Sequence, residues 1–243
     1  MLIHVDARMV DTEFLTILGL GLVLGLRHAL DTDHLAAVST VLAQRPSFRA
    51  SSMIGFSWGL GHTVVLLLAG AAVLVLRVSI PEPFALAAEF GVGVMLVFLG
   101  GILAVRLVRE RWHVHTHDHD GEQHVHLHSH ALAEDHGHLH WWHDSVRPFC
   151  IGMAHGLAGS AALLLIVLSS ARSVSEGLLY IAVFGFGSIL GMMLVGMVVS
   201  LPVLWSLSLG RPVFLTVQGL ASLGSVIVGL TMMFQIAFGG QLF

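Results

Sequence analysis

Arg27-His28-Ala29-Leu30-Asp31-Thr32-Asp33-His34 interrupts an otherwise apolar run from Phe14 to Ala43. A charged side chain at the bilayer centre costs ~2.5–3.5 kcal/mol on insertion scales, so Arg27, Asp31 and Asp33 would burden a lone membrane helix by roughly 8–10 kcal/mol. A ligand or internal pairing has to offset that cost.

Composition decides for the membrane. Of 243 residues, 56% are hydrophobic and only 11% charged, and the mean hydropathy is +0.86, which a soluble domain of this size could hardly solvate. All 11 basic residues are Arg; the absence of Lys removes the Gly-Lys-Ser/Thr phosphate loop of an ATPase. Transport by this chain has to be driven by a gradient or another subunit. Cys150 stands alone, which excludes an internal disulfide or dithiol pair and leaves it as a small buried hydrophobe. The acidic start through Glu13 does not read as a signal peptide and is expected as a short tail or surface helix.

A membrane helix needs ~20 mostly apolar residues. By that measure six spans are predicted: Phe14–Ala43, Ser51–Val78, Phe84–Val108, Val146–Ser170, Glu176–Leu201 and Val213–Phe238. Breaks fall at Arg45-Pro46-Ser47, Ile80-Pro81-Glu82-Pro83, Ala171-Arg172-Ser173 and Gly210-Arg211-Pro212. The first span is long enough to be tilted or locally unwound.

Between the third and fourth spans, Trp112–Asp144 holds 12 of the 17 histidines. It is polar, low in complexity and expected to be a mobile loop that binds metal loosely through neutral imidazoles. Near the span ends, Arg45, Arg49, Arg106, Arg109, Arg111, Arg147 and Arg211 lie on the loop's side, against Arg8, Arg77 and Arg172 on the other. That asymmetry puts the His-rich loop in the cytoplasm and both termini outside.

The two halves are alike. Gly25-Leu26-Arg27-His28-Ala29-Leu30 matches Gly152-Met153-Ala154-His155-Gly156-Leu157 at an offset of 127. Gly91 and Gly101 fall on Gly219 and Gly229 at 128, and Phe56 and Gly61 on Phe186 and Gly191 at 130. Three spans per half give repeats of inverted topology, whose interface at the midplane is where such transporters place the substrate. The expected fold is all-α and polytopic, with a first three-helix repeat over 1–111, the His-rich loop over 112–144 and a second three-helix repeat over 145–243.

His28, His62 and His155 sit near the middle of three different spans, and chance would scatter them. On a regular helix His28 and Asp31 are neighbours, as are Asp31 and His34, while His28 and His34 point about 120° apart. One metal could take both rings only if the helix opens locally; otherwise one histidine and one aspartate ligate and the others orient them. The candidate metal residues are therefore His28, Asp31, Asp33, His34, His62 and His155. Imidazole plus carboxylate without thiolate suits Ni²⁺, Co²⁺ or Zn²⁺, whereas Ca²⁺ and Mg²⁺ want more oxygen and structural Zn²⁺ a closed set of ligands. Arg27 is a candidate counter-charge for Asp31 or Asp33. The small residues of the fourth span read as helix packing, and Ser57 and Thr63 as helix-backbone bonders.

His28-x4-Asp33-His34 resembles the signature of the nickel/cobalt transporter family, and Phe56-Ser57-Trp58-Gly59-Leu60-Gly61-His62-Thr63 resembles its second motif. His155-Gly156-Leu157-Ala158-Gly159-Ser160-Ala161-Ala162-Leu163 resembles the urease-accessory branch, whose members are short six-span proteins. The resemblance covers nearly all of the membrane portion and implies that His28, Asp33, His34 and His62 belong to the metal path. The further acidic motif of longer, eight-span members is absent, so their selectivity does not transfer. The long His-rich loop is also similar to nickel/cobalt efflux proteins of the same superfamily.

The leading function is a cytoplasmic-membrane permease importing Ni²⁺ or Co²⁺ as substrate for maturation of a metalloenzyme such as urease or hydrogenase. Efflux for metal resistance is its rival. An intramembrane metalloprotease would need His-Glu-x-x-His or an equivalent base beside the metal, and no Glu lies near His28 or His62. A His-loop sensor or metal store would depend on the loop, whereas a permease would only be weakened by losing it. No prosthetic group, enzymatic activity or nucleic-acid partner is expected. The partners are the metal ion and the lipid bilayer; a cytoplasmic metallochaperone and a homo-oligomer are compatible with the reading.

Overall fold

A computed structural model describes residues 7–44, 47–78, 80–110, 115–119, 122–126, 145–159, 171 and 173–239. Its helices are α1 (Ala7–His28), α2 (Thr32–Leu42), α3 (Phe48–Leu76), α4 (Glu82–Glu110), α5 (described over 145–159), α6 (Val174–Ser208) and α7 (Arg211–Ala237). The protein is a polytopic, all-helical membrane protein apart from one short hairpin, and α3, α4, α6 and α7 are each long and apolar enough to cross a bilayer. The molecule is inside out relative to a soluble domain: Leu68, Phe98, Trp205 and Leu220 are exposed, while Ser188, Ser200, Ser222 and Ser225 are buried. Lipid takes the apolar surface, so helix association relies on close packing and polar contacts instead.

The expected helix boundaries are set by local chemistry. Ser47 caps α3, accepting from the Ala50 N–H, and Ser173 caps α6, accepting from the Glu176 N–H in a Ser-x-x-Glu box. Gly210, at φ 102°, turns the chain into Arg211-Pro212 at the head of α7. Contrary to expectation, α6 runs past Leu201 and through Pro202 to Ser208. The apolar run continues there, and a membrane helix tolerates the single donor that Pro202 lacks. The start of the chain is helical from Ala7, and the far end of the predicted fourth span, 160–170, lies outside the described residues.

The first span is two helices, not one. After His28 the chain tightens, with Leu30 N–H bonding the Arg27 carbonyl and Asp31 N–H the His28 carbonyl. Asp31 is extended, at φ −62° and ψ 146°, and α2 restarts at Thr32 with Asp33 in its first turn. An aspartate before the helix and another within its first turn put negative charge at the positive end of its dipole, without a side-chain bond to its free N–H groups.

Contacts define the arrangement of the bundle. α3 crosses α6 antiparallel, with Gly55 against Met192, Gly59 against Ile189, and Thr63 Oγ1 donating to the Gly185 carbonyl at 3.1 Å. α4 crosses α7 antiparallel, through Gly93 against Gly229, and through Ser222 and Ser225 donating to the carbonyls of Gly100 and Leu96. α1 lies along α6, and α5 along α3. Gly25 meets the backbone of Phe184 and Ser188, and Gly152 that of Trp58, so closely that no Cβ fits at either. α2 is tied to its neighbours by Gln218 Nε2 donating to the Ala43 carbonyl at 2.6 Å, Thr40 Oγ1 to that of Ala221, and Arg106 to Gln44 Oε1.

Three expectations are corrected. Cys150 is exposed rather than buried, on a face of α5 where lipid accepts a thiol as readily as a core would. Arg27 is exposed and makes no ion pair with Asp31 or Asp33, because the break carries both carboxylates past it. The His-rich segment, expected as loop, contains an antiparallel hairpin of β1 (His115–His119) and β2 (Glu122–His126). There His115 pairs with His126 and His117 with His124; alternate placement of the histidines suits a strand even where composition suggests none.

Candidate metal centre

The break between α1 and α2 solves the problem posed by a regular helix. Freed from 120° of separation, the rings of His28 and His34 approach to 4.7 Å between centroids. His62, from the middle of α3, closes the group at 4.9 Å from His28 and 5.4 Å from His34. One nitrogen from each of the three lies within 4.8 Å of the other two. Metal–nitrogen bonds of ~2.0–2.1 Å require nitrogens no more than about 4.2 Å apart, so the trio closes by about half an ångström around an ion.

His155 approaches from α5, its ring 4.8 Å from that of His34, and its Nε2 is 3.8 Å from Asp33 Oδ2. Of the six candidates, three form the cluster, His155 and Asp33 adjoin it, and Asp31 touches it through His28. Asp31 Oδ2 lies 2.8 Å from His28 Nδ1. A carboxylate accepts, so Nδ1 carries the hydrogen and Nε2 keeps its lone pair for a cation. In His155 the Ile151 carbonyl, 3.2 Å from Nδ1, fixes the same tautomer.

His34, His62 and His155 are almost wholly shielded. Yet His34 Nδ1, both nitrogens of His62 and His155 Nε2 have no hydrogen-bond partner among the described residues. A buried polar group left unpaired costs about 1–3 kcal/mol. A neutral cluster of such nitrogens, with two carboxylates at its edge, can hold a divalent cation and offset its charge.

Two further buried donors without a partner among the described residues, Trp58 Nε1 and Ser188 Oγ, escaped the sequence reading. Trp58 packs on His34 and His155, with centroids at 6.2 and 5.1 Å. Ser188 lies on α6 against Gly25, one turn beyond Phe184, whose ring is 5.5 Å from His28. A tryptophan or serine in an apolar run reads as packing, and only the offset of 130 between them, the one that relates Phe56 to Phe186, could have linked the two. Thr63 bonds the carbonyls of Gly59 and Gly185, the helix-backbone role expected of it.

Comparison with known proteins gives two matches. The NicO family, described as high-affinity nickel-transport protein, matches residues 14–237. The urease accessory protein UreH of Bacillus sp. (strain TB-90) is 35% identical over 202 residues, covering 79% of this chain and 79% of that protein. No solved structure matches.

Proposed function

Because the chain belongs to the NicO family of high-affinity nickel-transport proteins, we propose that it imports Ni²⁺ or Co²⁺ across the cytoplasmic membrane, feeding maturation of a metalloenzyme such as urease. It is a transport protein and not an enzyme, and nickel is its substrate. The observation that carries the assignment of the site is the trio of His28, His34 and His62 at a helix break, with His34 and His62 buried and holding nitrogens that have no hydrogen-bond partner among the described residues. These imidazoles replace waters of the ion, while Asp31 and Asp33 supply negative charge. A potential of 100 mV is worth ~2.3 kcal/mol per elementary charge, about 4.6 for a divalent ion, so entry needs no ATP.

Six spans arranged as two inverted repeats, 1–111 and 145–243, fit the packing. The offsets of 127 and 130 carry the contact of Gly25 with Ser188 onto that of Gly152 with Trp58, and the contact of Gly55 with Met193 onto that of Gly185 with Thr63. Antiparallel crossings of α3 with α6, and of α4 with α7, are what a two-fold in the membrane plane requires. Arginine placement puts the 112–144 segment in the cytoplasm. There the hairpin register brings histidines into opposition, and they take up the arriving ion.

The test is accumulation of radioactive Ni²⁺ and Co²⁺ at submicromolar concentration, in cells expressing wild type, His28→Ala, His62→Ala or empty vector. Accumulation above vector that both variants abolish is expected. Accumulation below vector, restored to vector level by the variants, would make the same site an exporter. Transport indifferent to both variants would sink the site.

A further inference from the structure

We propose that Trp58, His155 and Asp33 together hold one water molecule beside the imidazole trio, and that this water serves as a further ligand of the ion, which therefore crosses the site still partly hydrated. The proposal rests on the reading of His28, His34 and His62 as ligands. Its basis is a mismatch of donors and acceptors. The indole N–H of fully buried Trp58 can only donate, so no cation can satisfy it, and it has no acceptor among the described residues.

His155, whose ring packs 5.1 Å from that of Trp58, has the opposite deficit. Its Nδ1–H is committed to the Ile151 carbonyl, leaving at Nε2 a lone pair without a donor. What faces that lone pair at 3.8 Å is Asp33 Oδ2, another acceptor. A buried donor lacking an acceptor, and a buried acceptor that faces a carboxylate instead of a donor, are what a single water joins. It accepts from Trp58 and donates its two hydrogens to His155 and Asp33, three partners being the usual number for a buried water.

The water's remaining lone pair is free for the ion held by His34 and its two partners. Three imidazoles alone leave a divalent ion short of ligands. A bound cation also makes its water a stronger donor, so both acceptors grip more tightly once the ion arrives. His155 is thus a positioning residue that acts through water, and Trp58 orients that water from the opposite side.

The full chain in nanodiscs, with ¹⁵N-labelled tryptophan and Zn²⁺ as diamagnetic probe, gives the test. Trp58→Phe assigns the Trp58 indole signal. A cross-peak between that N–H and a long-lived water is expected with and without Zn²⁺, and is expected to vanish in His155→Phe while the indole signal persists. No water cross-peak in the wild type, or one unchanged in His155→Phe, overturns the proposal. In cells, Trp58→Phe keeps an aromatic ring but removes the indole N–H and its hydrogen bond, and should raise KM for Ni²⁺ about five- to tenfold at constant maximal rate. An unchanged KM overturns the proposal as well. If His62→Ala transports normally, the ligand reading itself falls, whatever the water experiment gives.

Discussion

The carboxylate of Asp31 reaches back three residues, across the break between α1 and α2, to lie 2.8 Å from Nδ1 of His28. It is about half exposed, so its contribution to folding is small, but it fixes which nitrogen of His28 faces the ion. Asp31→Ala should lower nickel affinity 10- to 100-fold, the usual cost of losing such a partner. Asp31→Asn keeps an acceptor oxygen and should lie between Ala and wild type. KM for uptake, measured for all three, checks the order.

His62 trades stability for function. Both its nitrogens are buried and have no partner among the described residues, so an apolar side chain of similar volume removes a penalty of about 1–3 kcal/mol. His62→Leu should abolish uptake while raising the thermal midpoint of the metal-free protein in detergent by a few degrees. A lower midpoint together with lost transport would mean that the ring is needed to hold α3 in place.

Metal should stabilise the wild type through the same nitrogens. Ni²⁺ at 100 times its dissociation constant is worth about 2.7 kcal/mol to the folded state. Thermal unfolding of wild type and His28→Ala, each with its own His-rich segment intact, separates the membrane site from that segment. The nickel-induced rise should shrink markedly in the variant.

The helix crossings predict where small residues are obligatory. A Cβ at Gly152 or Gly25 would meet the backbone of Trp58 or Phe184, so Gly152→Ala and Gly25→Ala should lose most folded protein. At Gly159 the nearest atom to an added Cβ is His28 Cε1 at 3.6 Å, an ordinary contact. Gly159→Ala should fold normally. Monodisperse yield on size-exclusion chromatography reads the difference.

Removing residues 112–144 should raise KM several-fold at submicromolar nickel and leave the maximal rate near wild type. Uptake abolished at every concentration would instead assign the segment an obligatory role.

Much of this molecule could be read from residue chemistry alone. The shared depth of His28, His62 and His155 pointed to where the rings gather because imidazoles are scarce in apolar helices, and the helix ends at Ser47, Ser173 and Gly210 are local capping events. An opening of the first span was expected, because a regular helix holds His28 and His34 about 120° apart; its place at Asp31 was not, although Asp31-Thr32-Asp33 reads as a helix start. Which helices meet was not legible: nothing in the periodicity of α6 assigns Phe184 to His28. The unpaired Trp58 N–H stayed hidden because satisfaction of a donor is a property of its neighbours, not of the residue. The hairpin was missed because composition was weighed above alternation.

The parting of α1 from α2 also places the two histidines on separate helices. His28 rides on a helix that lies along α6, while His34 rides on one fastened to α4 and α7 through Arg106, Ala221 and Gln218. Between the two helices the chain makes only the short turn through Ala29, Leu30 and Asp31. On the proposed reading, an ion gripped by both rings would tie the end of α1 to the head of α2 across that turn, and spreading the two helix ends would open its coordination shell.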